Sequence, residues 1–247
     1  MPVIDFHSHI LPGIDDGSKD VETSLRMLDM AASQGVDLMI ATPHFYASRH
    51  RVEEFLPRRE ASWNRLKEGL AHHEGKVPDI LLGAEVAFFR GISQADKIGA
   101  MTVGDSDIML LEMHFEPWTD RDIKEVRDLV LDRHFTIILA HLERYMDIGQ
   151  NRRRYADLFD LPLYVQINAE SISGGKLRDW RRRKTLINMF KDGQAHLLGS
   201  DCHGIHHRLP NLIAGRNALK EKLGEAYLKK LDERGSNLLG LKGDTHV

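Results

Sequence analysis

Cysteine is nearly absent from this chain of 247 residues: there is one, Cys202, which excludes an internal disulfide and any metal site built on several thiolates. Hydrophobic runs that could span a bilayer are missing too, since every apolar stretch is broken by Asp, His or Gly well short of about 20 residues. Neither sign of charge dominates. Lys and Arg number 34 against 37 Asp and Glu, a net charge of −3, so no general attraction to nucleic acid or anionic membranes is expected. No Pro/Gly/Ser-rich linker, composition shift or internal repeat divides the chain. The N-terminal MPVIDFHSHILPG carries acid and histidine where a signal peptide needs a basic start and an apolar stretch, and a reducing, cytoplasmic setting follows as the expectation. What is abundant is histidine, at 14 residues, within an ordinary globular mix of 42% hydrophobic and 29% charged residues that rules out disorder, collagen and coiled coil.

Short, nearly continuous apolar runs recur at Val3–Phe6, Val36–Ala41, Ile80–Val86, Asp107–Met113, Thr136–Ala140, Leu163–Ile167 and His196–Gly199, as expected of strands covered on both faces. Amphipathic stretches between them predict helices over Thr23–Gln34, Val52–His72, Asp120–Arg133, Leu177–Lys191 and Asn211–Leu223. Gly35 and Thr119 stand at the first helix's C-terminal cap and the third's N-cap. Ser93–Ile98 reads as a short helix. Seven alternating units predict an α/β protein, a single-domain distorted (β/α)7 TIM-like barrel, because a full eight-fold barrel uses about 250 residues. The domain is expected over residues 1–235, with 236–247 as a loosely held tail in which His246 plays no part.

Polar residues gather at the C-terminal ends of these strands, where barrel enzymes place their chemistry. The first strand runs into Asp5-Phe6-His7-Ser8-His9, the second into Thr42-Pro43-His44, the third into Glu85 and the fourth into Glu112-Met113-His114. The fifth ends in His141-Leu142-Glu143-Arg144 and the seventh in Ser200-Asp201-Cys202-His203. His7 and His9, two apart on a strand, point to one side and can chelate one ion; Asp201 and His203 repeat the spacing. With Asp15 and Asp16 there are more ligands than one ion can use. The all-N/O set suits Mn, Fe, Zn or Mg, and Glu85 could bridge two ions about 3.5–4 Å apart. A single strand-end histidine is more often structural, so His114, His134 and His196 are assigned to structure and His50, His72 and His73 to the surface. So many ligands arriving together are harder to explain by packing, because uncompensated buried charge is costly.

These motifs, in this order from Asp5 to Arg208, resemble those of the PHP (polymerase and histidinol phosphatase) superfamily. His7-Ser8-His9-Ile10 through Gly13-Ile14-Asp15-Asp16-Gly17 is similar to its capsule-associated branch, bacterial manganese-dependent protein-tyrosine phosphatases. The resemblance implies two or three divalent ions, Mn first, with Fe, Zn or Mg as alternatives. His7, His9, Glu85 and Asp201 would hold the first, Glu85, Glu112 and His141 the second, and Asp16, His44 and His203 the third, Asp15 replacing Asp16 if the loop register is shifted by one. Arg144 and Arg208 match the family's phosphate-binding arginines. The implied partner is the phosphotyrosine-containing tail of a bacterial tyrosine kinase of polysaccharide export, with no nucleic acid or membrane insertion and room for a homo-oligomer.

The expected chemistry is hydrolysis of a phosphate monoester by metal-held hydroxide, with guanidiniums neutralising the equatorial oxygens. A thiolate route competes, because Cys202 and Arg208 have the Cys-x5-Arg spacing of thiol-dependent tyrosine phosphatases. The glycine-poor His-Gly-Ile-His-His between them and the adjacent Asp201 argue against it. A histidinol-phosphatase-like activity and a phosphodiesterase or nuclease are the alternatives, the latter citing Arg152-Arg153-Arg154 and Arg181-Arg182-Arg183-Lys184. A non-catalytic metal-binding regulatory module is a further one.

Overall fold

The computed structural model describes residues 1–148, 151–174 and 179–241, the side chains of Arg152 and Arg153 excepted. Strands β1 (Ile4–Ser8), β2 (Leu38–Ala41) and β4 (Asp79–Leu82) form a parallel sheet in the order β1-β2-β4. A second parallel sheet holds β3 (His44–Phe45), β5 (Glu85–Ala87), β6 (Ile108–Glu112), β7 (Thr136–Leu139), β8 (Tyr164–Asn168) and β9 (Leu197–Gly199), in that order. One expected strand, Ile80–Val86, is therefore split into β4 and β5, and β3 is an additional short strand beyond the expected Val36–Ala41. Thr42-Pro43 separates β2 from β3, since proline has no N–H for the ladder, and Gly83-Ala84 separates β4 from β5. The ladder crosses both breaks: Gly83 N–H donates to Ala41 O and Glu85 N–H to Pro43 O. At the other edge, Asp201 N–H donates to His7 O and His9 N–H to Cys202 O, so the end of β9 lies against the end of β1. The architecture is mixed α/β, with the six-stranded parallel sheet curled into a half-barrel.

Helices α1 (Val21–Ser33), α2 (Val52–Leu70), α3 (Asp120–Leu131), α4 (Asn151–Phe159), α5 (Ala169–Ser173), α6 (Trp180–Lys191), α7 (Leu212–Leu223) and α8 (Glu225–Leu238) connect and follow the strands. Local chemistry sets their ends. Asp20 Oδ1 accepts from Thr23 N–H at the start of α1, Gly35 takes φ +76° just beyond its end, and Thr119 forms a capping box with Asp122 at α3. The expected Ser93–Ile98 helix is instead two 3-10 turns, Ile92–Gln94 and Ile98–Met101. Leu177 of the expected Leu177–Lys191 helix lies outside the described residues. Helices α4 and α8 were not expected, because NRRRYADLF and EAYLKKLDERGSNL show too few apolar residues to mark a stripe. The tail expected from residue 236 is in part α8 itself: Ser236 is buried, and Leu238, Leu239 and Leu241 pack against the inner apolar cluster. His246 lies outside the described residues.

Inside the curl, Ile4, Phe6, Leu38, Ile40, Ile108, Leu110, Ile138 and Leu197 from both sheets form one buried cluster. The opposite strand faces pack on the helices through Met39, Leu111, Leu139 and Val165. One irregularity decides the site. Asp5 pairs with Met39 but Ser8 pairs with Ala41, a slip of one residue that flips the following side chains to the other face. His7 and His9 thereby join the interior, directly above the apolar layer.

Candidate metal centre

His7 Nε2 and His9 Nε2 lie 3.1 Å apart. Glu85 Oε2 is 3.2 Å from the first and 3.3 Å from the second, and Asp201 Oδ1 is 3.5 Å from each. For ligand bonds of about 2.1 Å, neighbouring donors of a tetrahedral site stand about 3.4 Å apart, so this quartet has the spacing of a first coordination shell. Each imidazole is turned inward from behind: His7 Nδ1 meets Gln166 Oε1 at 3.2 Å and His9 Nδ1 meets Asp15 Oδ2 at 2.8 Å. Those contacts place the N–H on Nδ1 and leave Nε2 as the donor.

Glu85 reaches a second group with its other oxygen. Oε1 is 2.8 Å from His141 Nε2, and Glu112 Oε1 is 3.5 Å from the same nitrogen. On the outer side, Asp16 Oδ1 lies 3.5 Å from His44 Nε2 and 3.6 Å from His203 Nε2. All nine residues expected as ligands thus converge on one mouth. Asp15 and Asp16 divide their roles. Asp15 has a buried side chain that accepts from the His9 ring and from His44 N–H, whereas Asp16, 70% exposed in its side chain, faces the outer histidines. Arg144 Nη2 donates to Asp201 Oδ2 at 2.5 Å, and Arg208 Nη2 contacts Asp201 Oδ1.

The donors fit divalent cations. His44 Nδ1, Glu85 Oε2, Asp201 Oδ1 and His203 Nε2 are shielded from solvent and make no hydrogen bond, although His44 Nδ1 meets Glu85 Oε2 at 2.9 Å and Arg208 Nη2 contacts Asp201 Oδ1 as ion pairs. Unsatisfied buried groups of this kind are costly, and a hard or borderline cation satisfies an all-N/O set. Burial opposes ionisation of Glu85, but its close contacts with the rings of His7, His141 and His44 hold its carboxyl well below the usual range. Burial likewise works against protonating His9 and His141; hydrogen bonds to Asp15, Asp201 and Glu85 hold His9 well above its ordinary value, and those to Glu112 and Glu85 raise His141 to about 9. His203 goes the other way, to about 4, through burial and the neighbouring His9 and Arg208, which keeps it a neutral donor.

Backbone strain collects here. Among the described residues four non-glycine residues have positive φ, and three of them are His141, Asp201 and Arg208; such strain persists only where surrounding contacts enforce it. Gly199 supplies clearance, since a Cβ there would stand 2.6 Å from His7 Cβ and 2.7 Å from Gln166 Nε2.

Three residues were missed from sequence. Gln166 Oε1 accepts from His141 N–H at 2.9 Å and meets His7 Nδ1; its Nε2 donates to Asn168 Oδ1, and Asn168 Nδ2 donates to Asp201 Oδ2, both at 2.8 Å. The sixth strand thus ties together ligands of the first, fifth and seventh. Phe115, 52% exposed, lies nearly parallel to the His141 ring at 6.4 Å and 5.1 Å from Tyr145. Glutamine, asparagine and an exposed phenylalanine carry no ligand signature, so only the register of β8 and the chain's return past Glu112 reveal them.

Cys202 is fully buried, and burial followed by the nearby Asp5 charge pushes its thiol far up, the reverse of what a nucleophilic thiolate needs. His196 is structural, its Nδ1 accepting from Val165 N–H. His134 is exposed, at φ +59° in the turn before β7. His114 sits at the rim, 3.3 Å from Asp122. His73 pairs with Asp29 and His50 with Arg58. Of the arginine runs, Arg154 is paired with Asp120 and Asp157.

A family model described as capsular polysaccharide synthesis, CpsB/CapC, matches residues 3–238. Tyrosine-protein phosphatase CpsB of Streptococcus pneumoniae is 28% identical over 239 residues, covering 93% of this chain and 94% of that protein. Tyrosine-protein phosphatase YwqE of Bacillus subtilis is 28% identical, covering 96% and 91%. A solved chain from the crystal structures of YwqE from B. subtilis and CpsB from S. pneumoniae, described as unique metal-dependent tyrosine phosphatases, superposes with a TM-score of 0.82 at 24% identity over 97% of this chain and 95% of that one.

Proposed function

The chain belongs to the CpsB/CapC family of capsular polysaccharide synthesis, and from that premise we propose that it is a metal-dependent protein-tyrosine phosphatase acting on a tyrosine kinase of capsular or extracellular polysaccharide biosynthesis in the cytoplasm. The observation that carries this reading is a ring of buried N and O donors, four of which make no hydrogen bond, with two arginines at its mouth. His7, His9, Glu85 and Asp201 would hold one ion, Glu85, Glu112 and His141 a second, and Asp16, His44 and His203 a third, with manganese first among the metals. Asp15 orients His9 from behind. Divalent ions held there supply positive charge to the phosphoryl oxygens and acidify water.

Arg144 and Arg208 each give one Nη2 to Asp201 and keep further donors of a planar fork for the equatorial oxygens of a phosphate. Their side chains, about one-third exposed at 35% and 34%, are reachable from solvent. Asp201 holds both at a fixed separation, so the phosphate meets a prearranged clamp. A tyrosinate, with a pKa of about 10, leaves with less proton assistance than an alkoxide. The Phe115 face beside His141 offers apolar contact to an aryl group. The fold reading that accompanies this function is a distorted (β/α)7 barrel closed between β9 and β1, in a single domain that includes α8.

The test is hydrolysis of a phosphotyrosine peptide and of histidinol phosphate by metal-stripped protein, before and after adding Mn, with Cys202→Ser alongside. Mn-dependent turnover of the peptide, kept in the variant, is the expected result. Turnover of histidinol phosphate alone would move the function to small-molecule metabolism. Loss of activity in Cys202→Ser with folding and metal content unchanged, or no turnover of either substrate by metal-loaded protein, would overturn the reading.

A further inference from the structure

The arginine-rich run of α6 is not used by the centre described above. One face of that helix presents Trp180, Arg183, Lys184 and Lys191, spaced three, four and seven residues apart so that they share a side, and forms a groove of about 620 Å³ with α7, whose Glu221 and Lys222 line the far wall. Glu221 pairs with Lys222. No ion pair among the described residues neutralises Arg183, Lys184 or Lys191, and Arg183 Nε is shielded from water without a hydrogen-bond partner. Trp180 is 49% exposed. In a chain of net charge −3, three uncompensated cations beside an exposed tryptophan form a local positive field with an aromatic anchor, the composition of a recognition surface rather than of a solvated helix.

The groove is tied to the mouth. Arg182, in the first turn of α6, donates to Glu143 O and pairs with Asp147, and Glu143 precedes Arg144. Ser173, on the groove wall, ends the helix in which Ser171 Oγ donates to Glu143 Oε1. From there α6, with 12 residues, runs about 18 Å at 1.5 Å per residue, the length of about five extended residues.

We propose that the α6–α7 groove is an exosite for an acidic segment of the protein substrate, which docks along α6 while its phosphotyrosine occupies the metal centre. This rests on the reading of the centre as a protein phosphatase. Carboxylates or further phosphates on the segment pair with Arg183, Lys184 and Lys191, and an apolar or aromatic side chain packs on Trp180. The cations raise the encounter rate and fix orientation, and contribute nothing to the chemical step.

The experiment compares wild type with Trp180→Ala, Lys184→Glu and the triple Arg183→Glu/Lys184→Glu/Lys191→Glu, Mn-loaded, on p-nitrophenyl phosphate, a neutral phosphotyrosine peptide and a 12-residue peptide with acidic residues flanking its phosphotyrosine. The triple variant is expected to raise KM for the acidic peptide about tenfold at low salt. Lys184→Glu should do so less, p-nitrophenyl phosphate should be unchanged, and the difference should shrink in high salt. Equal effects on all three substrates, or none on the acidic peptide, would overturn the exosite. Binding of the fluorescent acidic peptide, read by anisotropy on metal-free protein, keeps the two readings separable. If p-nitrophenyl phosphate is not hydrolysed, the phosphatase reading fails, and loss of peptide binding in the triple variant still upholds the groove. Tighter binding of a single-stranded oligonucleotide or of anionic vesicles than of the peptide would reassign the groove away from a peptide ligand.

Discussion

Two layers of the interior, one residue or two apart on the same strands, are built on opposite rules. In the lower layer Ile4, Phe6, Leu38, Ile108 and Leu110 fill the curl with apolar side chains and satisfy one another. In the upper layer the ionisable side chains of His7, His9, Glu85, Glu112 and Asp201 are equally buried, and Glu85 Oε2 and Asp201 Oδ1 make no hydrogen bond. The lower layer is complete as it stands, because burial of apolar area is its own driving force. The upper layer offers donors that a cation would complete. Stability and function are therefore separable by depth along a single strand, and Leu110 and Glu112 on β6 mark the two sides of that boundary.

The largest expected effect comes from breaking the upper layer where its groups meet. Glu85→Gln keeps the shape but removes the charge shared by two donor groups, and should lower Mn-dependent kcat/KM by about 10²–10³-fold, as loss of one preorganised electrostatic group does. Bound Mn, measured by metal analysis after gel filtration, should fall with it. Unchanged metal content and activity would remove Glu85 from the centre. One layer down, Leu110→Ala should cost about 2–5 kcal/mol of stability, read from urea melts, while activity per folded molecule holds. If activity fell in proportion to nothing but the lost folding, the boundary would stand; a large separate loss in kcat would show that the layers are coupled.

The lower layer and the helices around it were legible in the sequence because period and cap residues report local structure. The seven apolar runs, Thr119 at the head of α3 and Gly35 at the end of α1 all reappear in the fold. The convergence of candidate ligands was legible for a different reason: histidine and carboxylate at strand ends carry their chemistry in their identity, and their order resembles a known superfamily. Three features were not. The register slip between Asp5 and Ser8 that turns His7 and His9 inward depends on pairing with β2, which no local pattern encodes. Helix α8 buries Leu228 and Leu231 in its first two turns but Gly235 and Ser236 beyond them, and small residues do not extend a hydrophobic stripe. Gln166 and Asn168 act only through the atoms they touch, and those atoms belong to strands far away in the chain.

Gln166 sharpens the comparison, since it is a polar residue of β8 lying between the two layers. Gln166→Leu makes its position resemble the layer below and leaves His7 Nδ1 and His141 N–H without their acceptor. Residues that orient a metal-bound histidine from behind typically change metal affinity by 10–100-fold, and weakening of that size is expected in a Mn titration followed by metal-dependent thermal stabilisation. Affinity within twofold of wild type would show that β1 alone orients His7.

The smallest effect tests whether the two regions treat one residue type oppositely. Neighbouring carboxylates shift His9 and His141 above their ordinary value. His196, at the entrance to β9, is pushed down to about 4 by burial and then by Arg234, and its Nδ1 must stay unprotonated to accept from Val165 N–H. An unfolded histidine titrates near 6.5, so below that pH the unfolded chain binds a proton that the folded chain refuses. The stability owed to neutral His196 is whole above about pH 6.5 and is lost as the pH falls toward about 4. His196→Asn, whose side-chain oxygen can accept from the same N–H, should flatten the decline of the urea midpoint across that window and leave it nearly unchanged at pH 8. An undiminished slope would place the acid sensitivity of folding among the carboxylates and histidines of the upper layer instead.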